Sequence, residues 1–146
     1  MRYCRSNKGF TLLEMLIVLS VLSIVLLFSI FTYQSFSETM QRRLFITQLE
    51  ADLYYAHAHA INRKVRVQIQ FSPSNRQYVV VNTGTKETLL QRKFPSTIYI
   101  QKSNLTSFTI NENGNISNFG TINFQQNQHT IKLTFYIGKG RFSIEE

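Results

Sequence analysis

The sequence predicts an α+β fold in which one long N-terminal helix is followed by a mostly antiparallel β-sheet. Three observations predict it. An apolar run from Phe10 to Phe31 leads, with no proline or glycine, into a segment of helical periodicity that reaches Lys64. From Val65 the pattern changes to alternation of apolar and polar residues, the period of a half-buried strand. Clusters of Ser, Asn, Pro and Gly then separate short segments rich in β-branched and aromatic residues.

The first half of the helix is apolar all round, and its length suits a hydrocarbon core, which takes roughly 20 residues to cross. Arg2, Arg5 and Lys8 precede it, and Thr32 to Gln41 holds no basic residue. The positive-inside rule therefore leaves residues 1–9 in the cytoplasm and the body outside. Glu14 is the anomaly. An acid inside a membrane helix costs at least about 2.5–3.5 kcal/mol, so it needs a partner that the chain does not offer nearby.

The second half is amphipathic. Phe45, Leu49, Leu53, Ala56 and Ala60 line one face, Ile46 and Ile61 widen it, and Arg42, Arg43, Gln48 and Asp52 are expected on the other. Such a stripe implies a sheet packed against it. The whole helix spans roughly 55 residues, about 80 Å at 1.5 Å per residue.

Strands are expected at 65–71, 77–81, 88–94, 97–100, 107–110, 121–124, 130–137 and 141–144, with Ser72-Pro73-Ser74-Asn75 as one turn. Asn113-Gly114 signals a hairpin between two of them. The chain thus divides into a leader (1–9), a membrane-spanning helix (10–36), its amphipathic continuation (37–64) and a β-domain (65–146). About ninety residues outside the membrane allow one small domain.

Composition narrows the function. Cys4 is the one cysteine of the chain and precedes the apolar run, so the β-domain holds no thiol and relies on core packing. The formal charge of +8 includes Arg2, Arg5 and Lys8, and +5 remains without them. No nucleophile elbow, phosphate loop or spaced acidic pair is present, and Gly138-x-Gly140 is too weak for a nucleotide site. His57 and His59 lie two apart on a helix and point about 200° away from one another, so they do not chelate one metal. His129 is alone before a strand. The expectation is no enzyme, no catalytic residue, no metal and no cofactor.

The run Gly9-Phe10-Thr11-Leu12-Leu13-Glu14, with its basic flank and apolar sequel, resembles the recognition motif of the type IV prepilin family. A secretory signal would instead show a shorter apolar region and a small-residue cleavage site, of which Ser35-Phe36-Ser37 is a poor version. A plain signal-anchor explains neither Glu14 nor Gly9-Phe10. The resemblance implies that a membrane prepilin peptidase cuts after Gly9 and methylates Phe10. It further implies that Glu14 pairs with the terminal amine of a neighbouring subunit, which physics favours because each charge is costly alone in low dielectric.

The helix-to-strand junction, Ala60-Ile61-Asn62-Arg63-Lys64 running into Val67-x-Ile69-x-Phe71, is similar to that of H-type pseudopilins and related minor pilins. The lean toward Asn, Ile, Lys and Gln resembles the competence minor pilins of Gram-positive bacteria. Implied partners are the peptidase, other major and minor pilins, the membrane and DNA. The implied role is help in DNA uptake, with a subunit of a type II-like secretion machine as the alternative. Major pilins of the family carry a glycine and a proline in the membrane half and a disulfide-bounded loop; this chain has none of these.

DNA contact would fall on exposed cations, since phosphate binding needs little else. Arg63, Lys64 and Arg66 cluster at the junction. Lys139 and Arg141 lie in a Gly-Lys-Gly-Arg-Phe run similar to a tail through which some H-type minor pilins contact DNA. Against this, Arg63 and Lys64 also complement a helix C-terminus, and Glu145-Glu146 would repel phosphate.

Overall fold

A computed structural model describes residues 9–101, 103–136 and 140–146, and the side chains of these apart from 29–35. Helix α1 (Leu12–Arg63) is followed by strands β1 (Val67–Ser72), β2 (Gln77–Asn82), β3 (Thr88–Lys93), β4 (Tyr99–Ile100), β5 (Ser107–Ile110), β6 (Gly120–Gln126), β7 (His129–Phe135) and β8 (Phe142–Glu145). Two compact units divide after Thr39.

In the first unit the large apolar side chains from Phe10 to Phe28 are all about half exposed or more. Ser20 and Ser23 return their hydroxyls to the backbone, donating to the carbonyls of Ile17 and Leu19 at 2.8 Å each. That is how an apolar helix tolerates serine: the donor is satisfied within the same turn. Among the described residues, no helix is long and apolar enough to cross a membrane. The expected span runs on into 29–35, whose side chains lie outside the described set.

The second unit forms where the amphipathic part of α1 meets the strands. Phe45, Leu49, Leu53, Ala56 and Ala60 are all buried, as their spacing predicts. Asp52 does not follow the expected partition. It is 5% exposed because, at seven residues from Phe45, it falls on the same stripe. Its carboxylate accepts hydrogen bonds from Tyr78 Oη (2.6 Å) and Gln48 Nε2 (2.9 Å) and pairs with Arg92 Nε (3.3 Å). Arg42 is likewise drawn in, its side chain 11% exposed and paired with Glu146 at 3.5 Å.

The single sheet expected from the pattern is two four-stranded antiparallel sheets, ordered β3-β2-β1-β5 and β4-β6-β7-β8. Strands β1, β2, β5, β6 and β7 bury alternate side chains, and two such layers bury those faces against one another and the helix. Phe124 of β6 marks the meeting point. Its ring centroid lies 5.2 Å from Phe45 of α1, 6.0 Å from Phe71 of β1 and 5.6 Å from Phe94, largely edge to face. Phe108 of β5 and Phe135 of β7 close the other end at 4.1 Å.

The hairpin expected around Asn113-Gly114 is corrected in the same way. The turn exists, with Gly114 N–H donating to Asn111 O and Asn111 N–H to Asn115 O, both at 2.9 Å. It closes only the isolated pairing of Ile110 with Ile116, and the chain then leaves β5 for the second sheet. Strand ends also move. Residues 65 and 66 belong to the helix exit, the 97–100 segment keeps only two strand residues, and residue 137 lies outside the described set.

Candidate functional site

The motif expected to direct processing and assembly begins the described residues. Gly9 is exposed with open space around its Cα, and Phe10 is 78% exposed. Thr11 caps the helix: its Oγ1 accepts the Glu14 N–H at 3.2 Å, while its carbonyl accepts the Met15 N–H at 3.2 Å. Glu14 therefore occupies the third helical position, in the first turn. There the unpaired amides and the positive end of the helix dipole favour a carboxylate. The Thr-x-x-Glu spacing is the signal for this cap, and sequence reasoning that fixed on the charge of Glu14 passed over it.

The cations proposed for DNA are placed separately, in the second unit. Arg63, Lys64 and Arg66 are exposed around the end of α1. Lys64 has a φ of 54°, and Val65 N–H reaches back to Ala60 O at 3.1 Å. This is a Schellman-type stop with lysine where glycine usually sits. Arg66 faces Glu112 at 3.8 Å, and its carbonyl accepts both the N–H and the hydroxyl of Thr83 at 2.9 Å. Arg141 is exposed and its carbonyl accepts the Tyr136 N–H at 3.0 Å. Lys139 lies outside the described residues, as do Arg2, Cys4, Arg5 and Lys8.

Arg141 also lines a cleft of about 540 Å³ with Tyr54, His57, Tyr136, Gly140 and Phe142. Sequence reasoning did not find it, because its walls come from α1 and from a segment, Tyr136 to Phe142, remote from it in sequence. His57 has a structural role there, its Nε2–H donating to Gly114 O at 3.1 Å. A Cβ on Gly114 would sit 2.7 Å from that nitrogen, which explains a glycine at a φ of 79°. Among the described residues no cluster of His, Cys, Asp or Glu could hold a metal ion. The Asp52–Tyr78 pair is not a nucleophile and base. Burial, followed by the hydrogen bond to Asp52 and its charge, pushes Tyr78 above its ordinary range, partly offset by Arg92, and keeps the phenol protonated.

Known proteins resemble this chain. Residues 4–30 match the prokaryotic N-terminal methylation motif, and residues 46–137 match the family described as type II transport protein GspH. The chain is 30% identical over 141 residues to the competence protein ComGD of Bacillus subtilis (strain 168), covering 95% of this chain and 94% of that one. Two crystal forms of the type IV minor pilin FimU from Pseudomonas aeruginosa PAO1 share the fold at 19% identity. Their TM-scores are 0.56 and 0.54, over 68% of this chain and 84% and 89% of theirs.

Proposed function

The chain belongs to the type IV pilins and pseudopilins, in their GspH branch, and from that premise we propose that it is a minor subunit of a competence pilus. In this reading a prepilin peptidase cuts after Gly9 and methylates Phe10, and the subunit joins other pilins through its N-terminal helix to support DNA uptake. The observation that carries it is the likeness to a competence protein along nearly the full length of both chains, N-terminal motif included.

The exposed N-terminal motif supports the processing step. An exposed Gly9-Phe10 bond is open to a peptidase. Cleavage creates an amine at Phe10, and an amine of a neighbour is the cation that Glu14 needs in an apolar setting. Before assembly the protein is a single-pass membrane protein with its leader in the cytoplasm and its β-domain outside; after assembly it reaches the cell surface.

Glu14→Ala tests this. We expect normal amounts in the membrane, loss from sheared pili and transformation reduced to the level of a deletion strain. Normal amounts of the variant in sheared pili would overturn the role of Glu14. The GspH likeness supports a second reading, a pseudopilin of a type II-like secretion machine. A deletion that abolishes secretion and spares transformation would decide for it.

DNA contact is the finer proposal. Exposure of Arg63, Lys64, Arg66 and Arg141 supports it. Binding through them would weaken steeply with salt, and each phosphate contact removed would lower the slope by about one.

A further inference from the structure

Three exposed rings line one trough in the second unit. The cleft walled by Tyr54, Tyr136 and Arg141 is joined by another of about 520 Å³, which shares Tyr136 and Arg141 with it and adds Phe119 and Asn104. Tyr54 is 58% exposed, Tyr136 47% and Phe119 68%. A single apolar side chain at a surface needs no explanation, but three rings set along one concave path around a cation do.

Two of the rings are held in place. Tyr54 packs on Phe142 with ring centroids 5.0 Å apart, and the Tyr136 hydroxyl shares a hydrogen bond with Ser143 Oγ at 3.1 Å. The Tyr136 N–H donates to the Arg141 carbonyl at 3.0 Å, which places Arg141 beside that ring. Rings fixed before a ligand arrives lose little freedom when it binds. None of the described residues lining the two clefts is acidic. Glu145 and Glu146 face Lys132 at 3.9 Å and Arg42 at 3.5 Å instead.

We propose that this trough binds single-stranded nucleic acid, with unpaired bases stacked on Tyr136, Phe119 and Tyr54 and a phosphate on Arg141. Such a site rests on the DNA-contact reading and narrows it to unpaired nucleotides. Exposed rings beside a cation complement a single strand, whose bases offer free π-faces whatever their sequence. In a duplex those faces are covered by neighbouring base pairs, and the phosphates left outside call for several cations spaced along them. Arg63, Lys64 and Arg66 offer that second pattern, whereas the trough offers rings.

Fluorescence anisotropy of the full-length chain in a non-ionic detergent tests the site, with three labelled probes of about 12 nucleotides. They are oligothymidylate, its duplex with oligoadenylate, and an abasic strand with the same phosphates. At one salt concentration oligothymidylate is expected to bind at least about tenfold tighter than the abasic strand. Phe119→Ala and Tyr136→Ala should each weaken oligothymidylate at least about fivefold, leave its salt dependence unchanged and spare the duplex. Tyr136→Phe keeps the ring and should bind as the native chain does. Arg141→Ala should instead lower the salt slope for oligothymidylate by roughly 0.7. Phe119 is mostly exposed, so its truncation leaves the core whole, and a thermal melt matching the native one checks this. Equal affinity for oligothymidylate and the abasic strand, or indifference of oligothymidylate to the loss of both rings, would overturn the proposal. If the duplex still binds when these fail, the DNA-contact reading survives them. If no probe binds, both fall.

Discussion

At the scale of single residues, charge in an apolar place governs this chain twice, and the two cases are solved differently. Glu14 sits on a capped first turn and is given its cation, in the proposed reading, by the amine of a neighbour, whereas Asp52 is satisfied within the fold by Tyr78, Gln48 and Arg92. Asp52→Ala would leave the buried Tyr78 hydroxyl without its acceptor and should cost about 3 kcal/mol in denaturant unfolding of the full chain. Tyr78→Phe removes a hydrogen bond but leaves Asp52 two partners, so about 1–2 kcal/mol is expected. The pair also predicts a pH response. The folded Tyr78 holds its proton above the ordinary tyrosine value, so its contribution is complete below about pH 10 and is lost as the pH rises beyond that. The stability gap between the native chain and Tyr78→Phe should therefore narrow from pH 9 to pH 11; a gap that widens would contradict it. Glu14 was legible as an anomaly because apolar neighbours surround it in sequence. Asp52 was not, since its partners lie 26 and 40 residues away and a charge on a helix reads by default as solvated.

At the scale of elements, both helix ends are built by local rules. Thr11 and Glu14 begin α1, and the left-handed Lys64 ends it. A lysine at that φ costs about 1–2 kcal/mol relative to glycine, so Lys64→Gly should stabilise the chain by about 1 kcal/mol. The same change should weaken DNA binding if Lys64 contacts phosphate, a divergence that thermal melts and binding assays in parallel would reveal. The turn at Gly114 predicts the opposite sign. Gly114→Ala meets His57 and Ile61 at a positive φ and should cost about 2 kcal/mol or more. Gly84→Ala, whose Cβ would touch only Asn82 at 3.4 Å, is the control and should be nearly silent. The buried stripe of α1 and the alternation of β1 could be read directly, because 3.6-residue and two-residue periods are local. The short β4 could not, since Thr97 turns away to hydrogen-bond Gln41 and Gln126.

At the scale of the whole molecule, the sequence supports the α+β class and the order of helix then strands, but not the split into two sheets. That split depends on which strands pair, a choice made by distant contacts such as Phe71 with Phe124 and Phe108 with Phe135. It places the cleft beside Arg141 between elements that are remote in sequence. The N-terminal methylation motif was readable because its signature lies in six consecutive residues and the apolar run behind them. The central claim is that this chain is a processed pilus subunit, and the most direct test is intact mass with N-terminal sequencing from membranes of strains with and without the prepilin peptidase. A start at N-methylated Phe10 that depends on the peptidase is the predicted result. A Met1 start in both strains would contradict the claim and leave Gly9, Phe10 and Glu14 without the roles proposed for them.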